Sequence, residues 1–355
     1  MAGVTYSKYS KINDPMIGKY EHPIKMIIES ESNSKYGKDV QTIIKALYNR
    51  EKSTRYSETT IGESDFDIFK SVAEGAGAEN DSVQKTFTKT IFHHSFMKEF
   101  SITKEMMDDA KFGISSDIAA KPKKLVNAYY KTLLKLACAP LIHGTELKCN
   151  FAGATLDCTT GDGKSLFNNA HEYFLPEMKS ETPQSNYFKG TFTKAEEFED
   201  ILNTAANKLR NFKDENGETL DYVADTIILP CNRPHFEKLV KAVCGSERLP
   251  GGNYNDINIQ YGNWSIIVLP GWESADDRFI IMSSDANKSL SAAMFFDRVP
   301  LDIRYWVDDH TRNLNWNGYA RHGIGYNTWK HCALIVPKNV TAGTPTDIDP
   351  TTAST

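Results

Sequence analysis

The 355-residue sequence predicts an α+β protein, on three observations. Helical and extended patterns fall in separate runs instead of alternating, the arrangement of α+β chains. One long helix, over about residues 122–139, carries a single apolar stripe of Leu125, Tyr129, Leu133 and Leu136. Near the end of the chain, "SAAMFFDRVPLDIRYWVDD" and "NWNGYARHGIGYNTWKHCALIV" are rich in aromatic and β-branched residues and read as long paired strands. No internal repeat is visible.

Taken in order, the first sixty residues read as polar and irregular, apart from a short helix in "KDVQTIIKALYN" where Ile43, Ile44 and Leu47 share a face. From Thr59 to about Ile102 the pattern changes. A first arm, "TTIGESDFDIFKSVA", reaches the small, flexible "EGAGAEND", and a Thr/Phe/Ile-rich arm, "VQKTFTKTIFHHSFMKEFSIT", returns. This predicts a long two-stranded excursion, and such a ribbon needs something to cover its apolar side chains. "TKEMMDDAKFG" predicts a short helix ended by Gly113. Pro122 suits the first turn of the long helix, which stops near Pro140 and Gly144. A further helix over Lys194–Phe212 opens on a Thr193/Glu196 capping-box pattern and presents Phe198, Ile201, Leu202, Ala205 and Leu209 to the core. "ADTIILP", "NWSIIVLP" and "DRFIIMS" read as buried strands, and "PHFEKLVKAVCG" as a helix started by proline and stopped by glycine. The tail, residues 337–355, is Thr/Pro-rich and reads as disordered.

Composition narrows the function classes. A chain that is 40% hydrophobic and 25% charged folds, and its length suits one large or two modest domains. With 41 basic and 46 acidic residues the formal charge is −5, which argues against a general nucleic-acid binder and against electrostatic membrane attachment. No stretch approaches eighteen apolar residues, and "MAGVTYSKYSKINDP" lacks a signal-peptide core, so a route outside secretion is expected. Six cysteines (Cys138, Cys149, Cys158, Cys231, Cys244 and Cys332) form no C-x-x-C pair; they read as reduced thiols, mostly buried.

Motifs for catalysis are weak. "CTTGDGKS", Cys158–Ser165, is one residue from a P-loop, with Cys158 where the first glycine belongs. No continuous apolar strand precedes it and "LFNNAHEYFLPEMKS" is a poor helix, so a surface turn at Asp162-Gly163 is the stronger reading. His93 and His94 point to opposite faces of a strand and cannot share a metal. Asp308, Asp309 and His310 lie between two strands, where a charged turn is the ordinary explanation. His171 has no acid or thiol at a telling spacing. No G-x-S-x-G elbow and no Rossmann glycine pattern occur. The tryptophans 264, 306, 316 and 329 fit a core or a subunit interface better than a carbohydrate surface. The reading is of no catalytic, cofactor-binding or metal residues.

The order of segments says more. "TFTKTIFHHSFMKEFSITKEMMDDAKFG", then the Leu125–Leu136 helix, then "GDGKSLFNNAH", "FFDRVPLDIRYW" (Phe295–Trp306) and "ARHGIGYNTWKHCAL" (Ala320–Leu334) resemble, block by block, the major capsid proteins of tailed bacteriophages. The likeness is to the Mu-like prophage major head subunit group and covers roughly Thr59 to Val336. It implies the Hong Kong 97 phage capsid fold: an N-terminal arm (residues 1–58), an extended E-loop (59–102), a peripheral domain (103–224) with its spine helix at about 122–139, an axial domain (225–290), and strands returning to the peripheral sheet (291–336). "GDGKS" then resembles a family turn instead of a nucleotide cradle.

The resemblance further implies a shell subunit that assembles with itself into hexameric and pentameric capsomers of an icosahedral head. The head would enclose double-stranded DNA without sequence-specific binding, meet a portal and scaffolding or decoration proteins, and be assembled in the bacterial host cytoplasm with no membrane and no cofactor. The irregular N-terminus is too short for the cleaved helical scaffold of some relatives, and no Lys–Asn–Glu cross-linking trio can be located. Phe87, Ile91, Phe92 and Phe96 of the return arm are the candidate inter-subunit contacts; the alternative is that they pack within their own chain. Rival readings are an encapsulin-type cellular shell, a P-loop enzyme resting on Lys164, and a tail or baseplate component.

Overall fold

The structure is a computed structural model that describes residues 4–8, 15–64, 66, 69–75, 77, 80, 83–110, 116–175, 181–248 and 258–349. In chain order the first half holds β1 (Thr5–Lys8), α1 (Pro15–Ser32), α2 (Lys35–Leu47), β2 (Asn49–Lys52), β3 (Ser57–Glu63), β4 (Lys85–Ile102), α3 (Lys104–Asp109), α4 (Ser116–Ile142), β5 (Lys148–Phe151) and β6 (Ala154–Asp157). The second half holds β7 (Tyr187–Gly190), α5 (Ala195–Arg210), β8 (Thr226–Pro230), α6 (Pro234–Gly245), β9 (Ser265–Leu269) and β10 (Phe279–Met282). It closes with α7 (Ser284–Ser289), β11 (Ala293–Val307), β12 (Leu314–Tyr326), β13 (Cys332–Pro337) and β14 (Thr346–Asp347). The chain forms two compact units: residues 1–58, 91–137 and 295–324 make the first, and residues 59–90, 138–294 and 325–355 the second.

In the first unit, β11 carries β1 as a parallel neighbour, and β2 also pairs with it. On its other side lies β12, which runs antiparallel to β4 from Leu314 opposite Ile102 to Gly323 opposite His93. The face shared by Phe100, Trp316 and Tyr305 is aromatic: Trp316 is fully buried and stacks on Tyr305 at 4.7 Å. Gly318 makes room for Leu301 of the neighbouring strand, since a Cβ there would meet it at 3.2 Å, with Leu125 of α4 in ordinary contact at 3.4 Å. Gly37 of α2 does the same for the Tyr130 ring, whose hydroxyl donates to the Ser32 carbonyl at 2.9 Å. Beneath the sheet Asp297 binds the Arg50 guanidinium and, at 2.9 Å, His322 Nδ1. Burial alone would raise the Asp297 pKa, but the His322 hydrogen bond and Arg50 together hold it below the usual carboxylate range.

In the second unit a six-stranded mixed sheet has the order β14-β7-β13-β10-β8-β9. The five residues of β8 are all buried, as a central strand requires, while β9 at the edge is half-buried. α5 buries the five residues named from its sequence, Phe198, Ile201, Leu202, Ala205 and Leu209. They meet α6 and the sheet in an aromatic cluster, with Phe198 5.2 Å from Phe279 and 5.8 Å from Phe236. The hairpin β5–β6 turns through Ala152 and Gly153, both at positive φ. All six cysteines are free; five are buried and Cys231 is exposed.

Several expectations need correction. Residues 1–58 are not irregular: α1 occupies eighteen of them, with Tyr20, Ile24 and Ile28 buried at four-residue spacing. α4 starts six residues before Pro122 and runs through Pro140, because burial of its apolar residues outweighs the missing N–H groups. α3 ends at Asp109, and Gly113 lies outside the described residues. The capping acid of α5 is Glu197 rather than Glu196; its Oε2 accepts from the Thr193 and Lys194 backbone N–H groups at 2.9 and 3.2 Å. Residues 332–337 pair on one side with β7, in the range expected for the peripheral domain, and on the other with β10, in the range expected for the axial domain. The tail is not disordered up to residue 349: β14 pairs with β7, and Ile348 is 4% exposed. Residues 350–355 lie outside the described part.

Candidate assembly surface

Among the described residues, the excursion after Thr59 pairs as two strands near its base, β3 with the start of β4. Thr59 and Thr90 share a hydroxyl hydrogen bond at 3.0 Å, and Ser64 N donates to the Gln84 carbonyl at 2.9 Å. Between them the described residues form no strand. Much of the expected tip, "EGAGAEND", lies outside the described residues. The later part of β4, residues 93–102, pairs instead with β12 and belongs to the first unit.

Two side chains of β4 hold the ribbon base within the second unit. The Phe87 ring lies over Gly62 of β3 and over Gly161, where a Cβ would be 2.2 Å from the ring. Lys89, buried, donates to Asp157 Oδ2 and Thr159 Oγ1, each at 2.7 Å. Burial pushes the Asp157 carboxyl up, but the Lys89 and Thr159 hydrogen bonds outweigh it and hold it below the usual range.

The "GDGKS" segment is thereby explained. Thr159 and Ser165 bridge antiparallel, Gly163 N donates to the Thr160 carbonyl at 3.0 Å, and Gly163 sits at φ +77°. Asp162 Oδ1 accepts from Lys164 N at 3.1 Å. This is a closed turn, with no helix N-terminus after it to face a phosphate, and Lys164 Nζ lies 3.5 Å from Glu172 Oε1. The P-loop reading is overturned on that geometry. The sequence missed a partner here: His171 Nδ1 lies 2.6 Å from Asp162 Oδ2, His171 Nε2 3.1 Å from Asn186 Oδ1, and the imidazole stacks on Trp329 at 4.3 Å. Burial opposes ionisation of Asp162, yet His171, Thr160 and the Lys164 N–H keep its pKa low. The nine-residue separation of Asp162 and His171 has no periodic signature.

Asp308, Asp309 and His310 form the expected turn between β11 and β12, with Asp308 Oδ1 accepting from His310 N at 3.0 Å. His93 is buried, with Ser53 Oγ 2.9 Å from its Nε2.

The four candidate contacts do not form one surface. Ile91 is 2% exposed and packs within its own chain, which removes it from the set. Phe87 is half-buried as the ribbon anchor, and Phe96 is also half-buried. Phe92 is 55% exposed and meets the still more open Tyr56 edge-on at 6.3 Å. The larger exposed apolar surface lies farther along the ribbon, in Ile61, Phe66, Phe69, Val72 and Val83, with the Phe69 ring wholly in solvent. These five large apolar side chains on one short excursion are all open to solvent in the single chain.

No family model matches the sequence, and no curated protein matches it. A solved structure from Mycobacterium phage Patience matches at 11% identity with a TM-score of 0.50, over 96% of this chain and 94% of that one. The capsid of cyanophage P-SCSP1u matches at 10% identity and a TM-score of 0.49, over 84% of this chain and 88% of that one. The capsid of Myoviridae phage XM1 matches at 11% identity and a TM-score of 0.48, over 83% and 91%. At these identities the likeness is one of fold, and the first match, nearly end to end, carries it: the chain has the Hong Kong 97-like fold of phage capsid structures.

Proposed function

We propose that this chain is the major capsid protein of a tailed bacteriophage or prophage, a structural subunit that assembles with itself into the icosahedral head around double-stranded DNA. One observation carries the reading: a capsid fold matched over nearly the whole chain, bearing an anchored ribbon whose apolar residues are uncovered in the single subunit. Repeated heterologous contacts whose rotation closes give a shell, and many weak contacts per subunit make it stable. In this reading the six-stranded sheet of the second unit forms the axial part of each hexameric or pentameric capsomer, and α4 is the spine helix. A portal and scaffolding or decoration proteins are the expected partners, and the virion the final location after assembly in host cytoplasm. Among the described residues no helix is long and apolar enough to cross a membrane.

Negative-stain electron microscopy of the purified chain, after size-exclusion separation of large species, tests this. Closed polyhedral shells, or capsomers and tubes of matching lattice, are the expected result. Monomers that persist under crowding salts, with or without a co-expressed scaffold, would overturn it. Shells that copurify an enzyme cargo would point to an encapsulin instead.

A further inference from the structure

The formal charge of −5 conceals an unequal division between the two compact units. The first, residues 1–58, 91–137 and 295–324, holds 22 lysines and arginines against 16 aspartates and glutamates, a formal +6. The second holds 19 against 30, a formal −11. Opposite charge on two parts of one chain points to a polyanion as partner of the basic part.

Much of the excess lies on the outer faces of two helices. Lys124, Lys131 and Lys135 of α4, seven and four residues apart, share one exposed stripe about 16 Å long at ~1.5 Å per residue. Lys35, Lys38 and Lys45 of α2, three and seven apart, form a second exposed stripe. The helices lie side by side: Gly37 fits against the Tyr130 ring, and the hydroxyl of Tyr48, just past α2, donates to the Ala137 carbonyl at 2.8 Å. They also rest on one face of the first sheet. Tyr129 packs against His322 of β12 and Tyr48 against Phe295 of β11, and the His322 and Phe295 rings are 5.5 Å apart. Both stripes therefore open away from that sheet. None of the six ammoniums has an ion-pair or hydrogen-bond partner among the described residues, whereas Lys121 of α4 donates to the Ser101 carbonyl at 2.6 Å. The acids of α2 and α4 are Asp39 and Asp117 alone.

The chemistry of the face selects the polyanion. Protein interfaces are poor in lysine and rich in aromatic residues, Met and Arg. Here the six cations are all lysine, and Tyr36 is the one large apolar side chain exposed on either helix. Lysine is a compact point charge that meets a phosphate without reading a base, and one ring is no platform for unstacked bases. We propose that the α2–α4 face binds the phosphate backbone of double-stranded DNA without sequence preference. The proposal rests on the shell-subunit reading for where that DNA lies, in the lumen that this face would line. Duplex DNA carries one charge per roughly 1.7 Å of axis, so a stripe of about 16 Å meets more phosphates than it has ammoniums and needs no fixed register.

A fluorescein-labelled duplex of about 20 base pairs, in two unrelated sequences, is titrated with full-length unassembled subunits by anisotropy between about 50 and 200 mM salt. The variant is Lys124→Gln/Lys131→Gln/Lys135→Gln. Its control of equal charge is Lys208→Gln/Lys238→Gln/Lys241→Gln, at exposed positions of the second unit, and circular dichroism checks that both fold. The wild type is expected to bind both sequences alike, with log K falling against log salt at a slope of about −5, or ~0.9 for each of six phosphates. The stripe variant is expected to lower that slope by about 3 and to bind about tenfold or more weaker at low salt, while the control keeps the wild-type slope. No binding by the wild type at about 50 mM salt, or an equal loss in the control, would overturn the contact. A polyglutamate peptide that binds more tightly than the duplex, and loses that affinity in the stripe variant, would assign the face to an acidic protein and overturn DNA as its occupant. Subunits that bind DNA as expected but never form shells would remove the shell reading and keep the contact; shells built from subunits that do not bind DNA would do the reverse.

Discussion

Replacing Gly161 with alanine tests the link between the "GDGKS" turn and the ribbon. A Cβ at 161 would lie 2.2 Å from Phe87 Cδ2, 2.4 Å from its Cγ and 2.8 Å from the Asn327 carbonyl oxygen. Two of those atoms belong to the ring that anchors the ribbon, and the third is backbone, so the ring must leave. Overpacking of this kind costs about 1–3 kcal/mol. Gly163, two residues on, is the control. It sits at φ +77° with nothing within 4 Å of a Cβ, so Gly163→Ala costs only the left-handed backbone, about 1–2 kcal/mol. Thermal denaturation alone would not separate the two. Hydrogen exchange at the amides of residues 59–63 and 85–90 does, because it reads opening of the ribbon base directly. A loss of about 2 kcal/mol at the anchor speeds exchange there about thirtyfold, at roughly 1.4 kcal/mol per tenfold, while Gly163→Ala leaves those amides unchanged. Wild-type protection in Gly161→Ala, with no larger fall in Tm than in the control, would refute the anchoring role of Phe87.

Two further outcomes are expected. Asp297→Asn removes the carboxylate between Arg50 and His322, side chains 13% and 1% exposed, and is expected to cost about 3 kcal/mol in urea unfolding because a buried cation loses its partner. Since the folded pKa of Asp297 is depressed, its contribution is complete above the unfolded value near ~3.9 and is lost as pH falls through the lower folded value, so the variant flattens the acid limb of the stability curve below about pH 4. Phe66→Ser/Phe69→Ser is expected to leave monomer stability within about 0.5 kcal/mol and to raise the protein concentration needed for assembly, measured by sedimentation velocity, because each ring forfeits about 1.5–3 kcal/mol of burial against a neighbour.

What the sequence disclosed depended on whether the signal was local and periodic. The buried face of α5 was legible residue by residue, because a 3.6-residue stripe beside a polar face has one reading. α1 carries a comparable stripe, Tyr20, Ile24 and Ile28, hidden by Gly18 and Pro23; packing overrode the proline, as it did twice in α4. The partner of β13 was not legible: a strand buried on both faces shows that it is central but not which strands lie beside it. At the candidate surface, alternation along β4 already forbade a single face. Phe87 and Ile91 are odd-numbered and Phe92 and Phe96 even-numbered, so the two pairs face opposite ways where the strand is regular. The Asp162–His171 pair closes across nine residues of loop and bridge, a separation that neither a helical nor a strand period marks.

The distribution of thiols gives the chain a chemical handle. Burial pushes the Cys138 and Cys244 pKa values up to about 12 and that of Cys332 higher still, which leaves almost no thiolate near neutral pH. Cys231 alone among the six is exposed, at the end of β8 just before α6. The Cys158 hydrogen bond lowers the Cys149 pKa, but that thiol is 4% exposed and closed to a bulky reagent, so a maleimide dye attaches at Cys231, one defined position of the second unit, without engineering. Pairs of labelled subunits would report their approach by energy transfer while particles are still too small to image.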